Sequence, residues 1–142
     1  EFKSDRQRRR YSRLVRYVKK VYPYAVLIRQ TYFEIQSALD TIPNEKEKKK
    51  YIKEKEKELR EKFEDELIHL TILQGRILIK LVDRETGDTT YDVLKEFKGS
   101  FSAFFWQSVA RIFGSNLKSD YDAEGDDAMI EDIIVRIENG TL

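Results

Sequence analysis

RILIKLVDRETGDTTYDV, Arg76–Val93, can be read in two ways, and the class of the whole chain turns on the choice. As a β-hairpin, Ile77, Ile79 and Val82 supply β-branched strand residues, and Arg84 to Gly87 make the turn, with Gly87 at a left-handed position. As a helix, the stretch continues an apolar pattern that begins upstream. Phe63, Leu67, Leu70, Leu73, Ile77 and Leu81 advance by threes and fours and never alternate strictly, so the spacing predicts helix. Gly87 then follows the last helical turn, where a residue tolerant of positive φ is needed.

Working back from this stretch, a second apolar seam occupies the N-terminal third. Tyr11, Leu14, Val18, Val21, Ala25, Ile28, Tyr32, Ile35, Leu39 and Ile42 follow one another at 3/4 spacing, the signature of a helix packed against another. Pro23 sits within this register without shifting it, which predicts one long helix kinked near Lys19 to Pro23. Pro43 halts that helix, and Asn44 with Glu47 resembles a capping box for the next. So short a connection predicts an antiparallel neighbour. Its first half, EKEKKKYIKEKEKELREKFEDE, carries only Ile52, Leu59 and Phe63 as an apolar stripe and reads as a solvated face.

Beyond Gly87, Thr89 and Asp92 suit a helix start that carries Tyr91, Leu94 and Phe97 inward. FSAFFWQSVARIF, residues 101–113, is apolar nearly all round and reads as buried, in preference to lying on a membrane surface. A last helix, Asp127 to Asn139, shows Ile130, Ile133, Ile134 and Ile137 on one face. The expected fold is a single all-α domain over residues 1–142. It is a bundle of five or six helices built on a long, kinked antiparallel hairpin, about residues 5–41 and 45–86, packed by three shorter helices.

The 142 residues suffice for one domain with a real core. The absence of cysteine excludes disulfides, zinc thiolate sites and cysteine nucleophiles. No apolar run reaches the length of a membrane span. Net charge is only +1, yet residues 1–30 hold ten Lys/Arg against two acids, whereas residues 115–142 hold two against eight. The chain begins Glu1-Phe2-Lys3, so a fragment or processed form is expected, with an N-terminal segment upstream.

Four places could carry chemistry. DYDAEGDDAMIE, Asp120–Glu131, sets Asp120, Asp122, Glu124 and Glu131 at the first, third, fifth and twelfth positions of an EF-hand-like loop, with Gly125 at the sixth. Against calcium stand the long Glu124, the polar Asp127 at position eight and the early end of the preceding helix. The plainer reading has Asp126 or Asp127 cap the last helix. Asp83, Lys80, Gln74 and Arg84 could form an acid/base site in which burial and a partner charge tune the carboxylate, with Trp106 and Gln107 lining a cleft. The plainer reading pairs Lys80, Asp83 and Arg84 at the helix end and has Gln74 bond across the core. His69, the single histidine, follows Asp65 by one turn, half of a catalytic or metal site. RQRRRYSRLVRYVKKVYPY interleaves basic and aromatic residues as a nucleic-acid or anionic-membrane surface would, although its tyrosines fit the packing seam. No HExxH, P-loop, GxGxxG or GxSxG motif occurs.

RRRYSRLVRYVKKVYPYA, LTILQGRILIKLVDRETGDTTYDVLKE and GSFSAFFWQSVARIFGSNLKSDYDAEG resemble a family of Bacteroidetes proteins catalogued as a domain of unknown function, over most of the chain. The resemblance implies an exported, cell-envelope protein whose signal peptide lies upstream. It brings no activity, cofactor or partner. Its pattern around the acidic loop is Tyr-Asp followed by Gly, matched by Tyr121, Asp122 and Gly125, with no carboxylate required where Asp120 stands. The functional expectation is a non-enzymatic envelope module that acts by contact with a protein partner or by self-association. Nucleic acid is disfavoured, and no cofactor is expected unless the acidic loop takes calcium. The alternatives are the acid/base enzyme and a calcium-stabilised binding module.

Overall fold

The computed structural model describes residues 2–87, 107 and 121–142. Four helices stand among them: α1 (Asp5–Thr41), α2 (Glu45–Ile68), α3 (Ile72–Thr86) and α4 (Ala128–Glu138). Arg76 to Thr86 is helical, so the hairpin alternative is excluded that far; residues 88–93 lie outside the described residues. So do the expected helices that begin at Thr89 and cover 101–113, Gln107 apart.

α1 opens on Ser4, whose Oγ accepts the Gln7 N–H at 3.2 Å. It runs unbroken through Pro23. That proline and Lys19, whose carbonyl loses its usual partner, are both exposed, so water can replace the missing hydrogen bond. The apolar seam is core: Val18, Val21, Ala25, Tyr32 and Ile35 are buried, and Tyr11, Leu14, Ile28 and Leu39 pack against them.

The expected bundle of five or six helices on one hairpin is corrected here: the described residues form four helices, and the arm from 45 to 86 is two of them, α2 and α3. The break falls at His69–Thr71. Thr71 Oγ1 accepts the Gln74 N–H at 3.1 Å, and Gln74 Oε1 accepts the Thr71 N–H at 3.1 Å. This reciprocal capping box starts a new helix while leaving the apolar spacing undisturbed. α3 then ends on Gly87, which adopts φ 78° and donates its N–H to the Asp83 carbonyl at 2.8 Å.

The break changes which helices form the core. α1 packs chiefly on α3, which buries Ile77, Leu78, Ile79, Leu81 and Val82. α2 returns alongside α1 in antiparallel register, with Lys55 against Glu34 at 3.1 Å and Glu66 accepting from the Tyr24 hydroxyl. α3 reverses again and runs parallel to α1: Leu73, at its start, shares a groove with Leu14 and Tyr17, and Glu85, near its end, meets Arg29 at 2.9 Å. α4 closes the other side, burying Ile133 and Ile134 fully. Among the described residues no helix is long and apolar enough to cross a membrane.

Thr71→Ala should lower stability by about 1 kcal/mol, through loss of the Oγ1 acceptor that caps the Gln74 N–H. Urea unfolding checks this as a lower midpoint at unchanged slope. An unchanged midpoint would mean that α2 and α3 gain nothing from the cap.

Candidate functional site

Lys80, Asp83 and Arg84, singled out in the sequence, meet the segment 121–138 along one side of α3. Lys80 and Arg84 lie one turn apart, as do Asp127 and Glu131, and the two pairs face each other. Lys80 Nζ meets Asp127 Oδ2 at 3.2 Å. Arg84 engages Glu131 with both arms of its guanidinium, Nε to Oε1 at 2.8 Å and Nη2 to Oε2 at 2.9 Å, the planar fork matching the carboxylate. Arg84 also reaches Glu85 and, at 3.3 Å, Glu138. Glu85 in turn holds Arg29 of α1. Two tyrosines complete the cluster: Tyr121 donates its hydroxyl to Glu131 at 3.0 Å, and Tyr22 donates to Glu138 at 3.2 Å.

The charges tune one another. Arg84 is held well above the usual arginine range, chiefly by its hydrogen bonds to Glu131, which outweigh the opposing effect of burial. Glu131 is held below the ordinary glutamate value by the Arg84 hydrogen bonds, against burial and with help from the Tyr121 hydroxyl. Burial, then the bond to Glu131, pushes the Tyr121 hydroxyl up. Tyr22 is raised by burial and then by the charges of Glu85 and Glu138. Every one of these shifts favours the protonation states that the cluster needs at neutral pH.

Among the described residues the acid/base candidates are engaged separately. Asp83 is buried and accepts the Tyr121 backbone N–H. Lys80 pairs with Asp127, and Arg84 holds Glu131. Gln74 closes the capping box at the opposite end of α3, where the expectation of a bond across the core gives way to a bond within its own helix. None of the four lines the open groove described below. Lys80, Asp83 and Arg84 each reach across to 121–131, where pairing among themselves at the helix end was the plainer expectation. Gln107 is exposed, and Trp106 lies outside the described residues.

In the acidic loop, Asp120 is likewise outside the described residues, and Asp122 and Glu124 are exposed. The loop is closed by its own hydrogen bonds. Asp122 donates its N–H to Asp127 Oδ2 at 2.8 Å, and its carbonyl accepts the Asp127 N–H at 2.9 Å. A Cβ at Gly125 would overlap the exposed Asp122 carboxylate, which would have to turn aside. Asp127 occupies the position before α4, as the capping reading expects, but its side chain makes no cap bond and turns to Asp122 and Lys80 instead. Among the described residues no three His, Asp or Glu side chains gather as a metal ion requires. His69 bonds through Nδ1 to the Asp65 backbone carbonyl, at the end of α2.

Nothing local in the sequence singles out Tyr22, Arg29, Glu85 or Glu138. Their partners lie between 54 and 116 residues away, apart from the adjacent Arg84 of Glu85. These contacts define a small all-α protein whose α3 is clasped to α4 by a charged cluster. The chain belongs to the family described as Domain of unknown function (DUF4294), whose model matches residues 1–136. No curated protein and no solved structure matches it.

Arg84→Met should cost about 3 kcal/mol, since it leaves three carboxylates facing one another, and Tyr121→Phe about 1 kcal/mol. Because the folded value of Glu131 is depressed, its contribution is complete above the unfolded value of about 4.3 and is lost as pH falls through the folded one. The stability difference between the parent and Glu131→Gln should therefore shrink below about pH 4.3, measured by urea unfolding across pH. With both Glu131 oxygens held by Arg84, millimolar calcium should leave the thermal midpoint within about 1 °C of its value in chelator. A rise of several degrees, abolished by Glu131→Gln, would establish calcium binding in the loop.

Proposed function

We propose that this chain is a non-enzymatic module of the cell envelope that acts by contact, with a protein partner or with a second copy. One observation supports this above the rest: each of the four acid/base candidates is engaged in holding the fold. Asp83 anchors the Tyr121 backbone, Lys80 fixes Asp127, Arg84 clasps Glu131, and Gln74 caps α3. A general acid or base needs a reachable proton and a space for substrate beside it. The export assignment rests on the family, to which the chain belongs.

The test uses the full-length protein, tagged and expressed from its own gene in its own cells. After chemical cross-linking, it should fractionate with the envelope and carry a discrete cross-linked species. That species should persist in Lys80→Met and Asp83→Asn, provided their thermal transitions stay cooperative. Recovery from the cytoplasm alone, without cross-links, would overturn the proposal. So would turnover of a small molecule that Asp83→Asn abolishes in a folded protein.

A further inference from the structure

An open groove of about 1060 Å³ lies between the first half of α1, the start of α3 and the start of α4. Its floor is apolar and aromatic: Tyr11, Leu14 and Tyr17 from α1, Leu73 from α3 and Met129 from α4. Leu73 is 45% exposed and Met129 51%, so both present much of their apolar surface to the groove. Ile72, adjoining the groove, is 66% exposed. Around this floor stand Lys3, Arg10, Arg13 and Arg136. Asp132 is the one carboxylate in the lining, and it is already paired with Arg136 at 3.1 Å. The rim is thus cationic around an apolar trough.

We infer that this groove docks an acidic amphipathic helix from a partner protein; the inference rests on the contact reading above and names the partner's chemistry. Charge decides the sign. A segment with glutamates or aspartates flanking an apolar stripe would set its carboxylates against Arg10, Arg13 and Lys3, and the arginine forks can engage them bidentately. The stems of those long side chains would cover the edges of the stripe. Backbone chemistry decides the conformation. The described residues offer helices and no sheet edge, so a docked segment must satisfy its own N–H and C=O groups, as a helix does. Length agrees: Gln7 to Tyr17 on α1 spans about 15 Å, close to three helical turns, enough for apolar anchors at i, i+3, i+4 and i+7.

The probe is a synthetic helix-forming peptide of about four turns, with leucines at that spacing and glutamates on either side. Its control has the same composition, with the leucines scattered around the helix. A benzophenone amino acid at position 129 reports contact, and fluorescence anisotropy reports affinity. Expected are labelling of the patterned peptide and about tenfold or more weaker binding of the scattered one. A similar loss is expected for Leu73→Asp and for the pair Arg10→Glu and Arg13→Glu, all at exposed positions. Equal binding of the two peptides overturns the inference, because charge alone would then suffice. So do labelling of a second copy, labelling of the chain's own residues, or capture by phosphatidylglycerol vesicles that the peptide does not displace. Failure here is separable from failure of the contact reading. If the cellular cross-link survives in Leu73→Asp, contact stands and this groove is not its site; if no cross-link forms in any version, the contact reading itself falls.

Discussion

Arg84 stands where α1, α3 and α4 meet, and its guanidinium links all three. It holds Glu131 and Glu138 of α4 directly and shares Glu85 with Arg29 of α1. A cation in so enclosed a position carries a desolvation cost that only close, well-directed carboxylates can offset. The bidentate geometry with Glu131 supplies them, and the resulting charge displacement is reciprocal: arginine held protonated, glutamate held ionised. The apolar contacts of Ile133 and Ile134 give α4 its affinity for the core. The clasp gives it one register, since a shift of one residue would turn Glu131 away from the fork.

The same division of labour runs through the bundle. α1 and α3 supply apolar area in quantity, whereas the described side chains of α2 give the core Ile52, with Tyr51 packed against it, and its sequence is rich in charge. Among the described residues its polar links to α1 are peripheral, Lys55 with Glu34 and Glu66 with Tyr24. Exposed pairs of this kind contribute little to stability. Among the described residues, the parallel pair α1 and α3 and the clasped α4 carry most of the core, with α2 as the connection that allows the pair to be parallel.

How much of this could be read from the chain depends on distance along it. The α1 seam was legible because every seam residue reports its neighbour three or four positions away. The same periodicity concealed the break between α2 and α3, because Leu67, Leu70 and Leu73 keep their spacing across it. The signal for the break was there in Thr71 and Gln74, a capping pair set inside an otherwise continuous pattern. The clasp was not legible at all. Arg84 and Glu131 are 47 residues apart, and the local spacing around Glu131 fits a calcium ligand as well as it fits an arginine partner. Nor does a basic, aromatic helix announce a groove, since Leu73 and Met129 reach it from two other elements.

α2 also carries a constraint of a different kind. Its 24 residues make a rod of about 36 Å, which returns the chain from the end of α1 to the level of Tyr17, where α3 begins. Its exposed positions can drift widely among charged residues. Its length cannot. Each residue removed would advance the start of α3 by about 1.5 Å along α1 and rotate it by about 100°, taking Lys80 and Arg84 out of line with α4. Natural variation in this segment should therefore appear as substitution, with insertions and deletions confined to whole turns or excluded altogether.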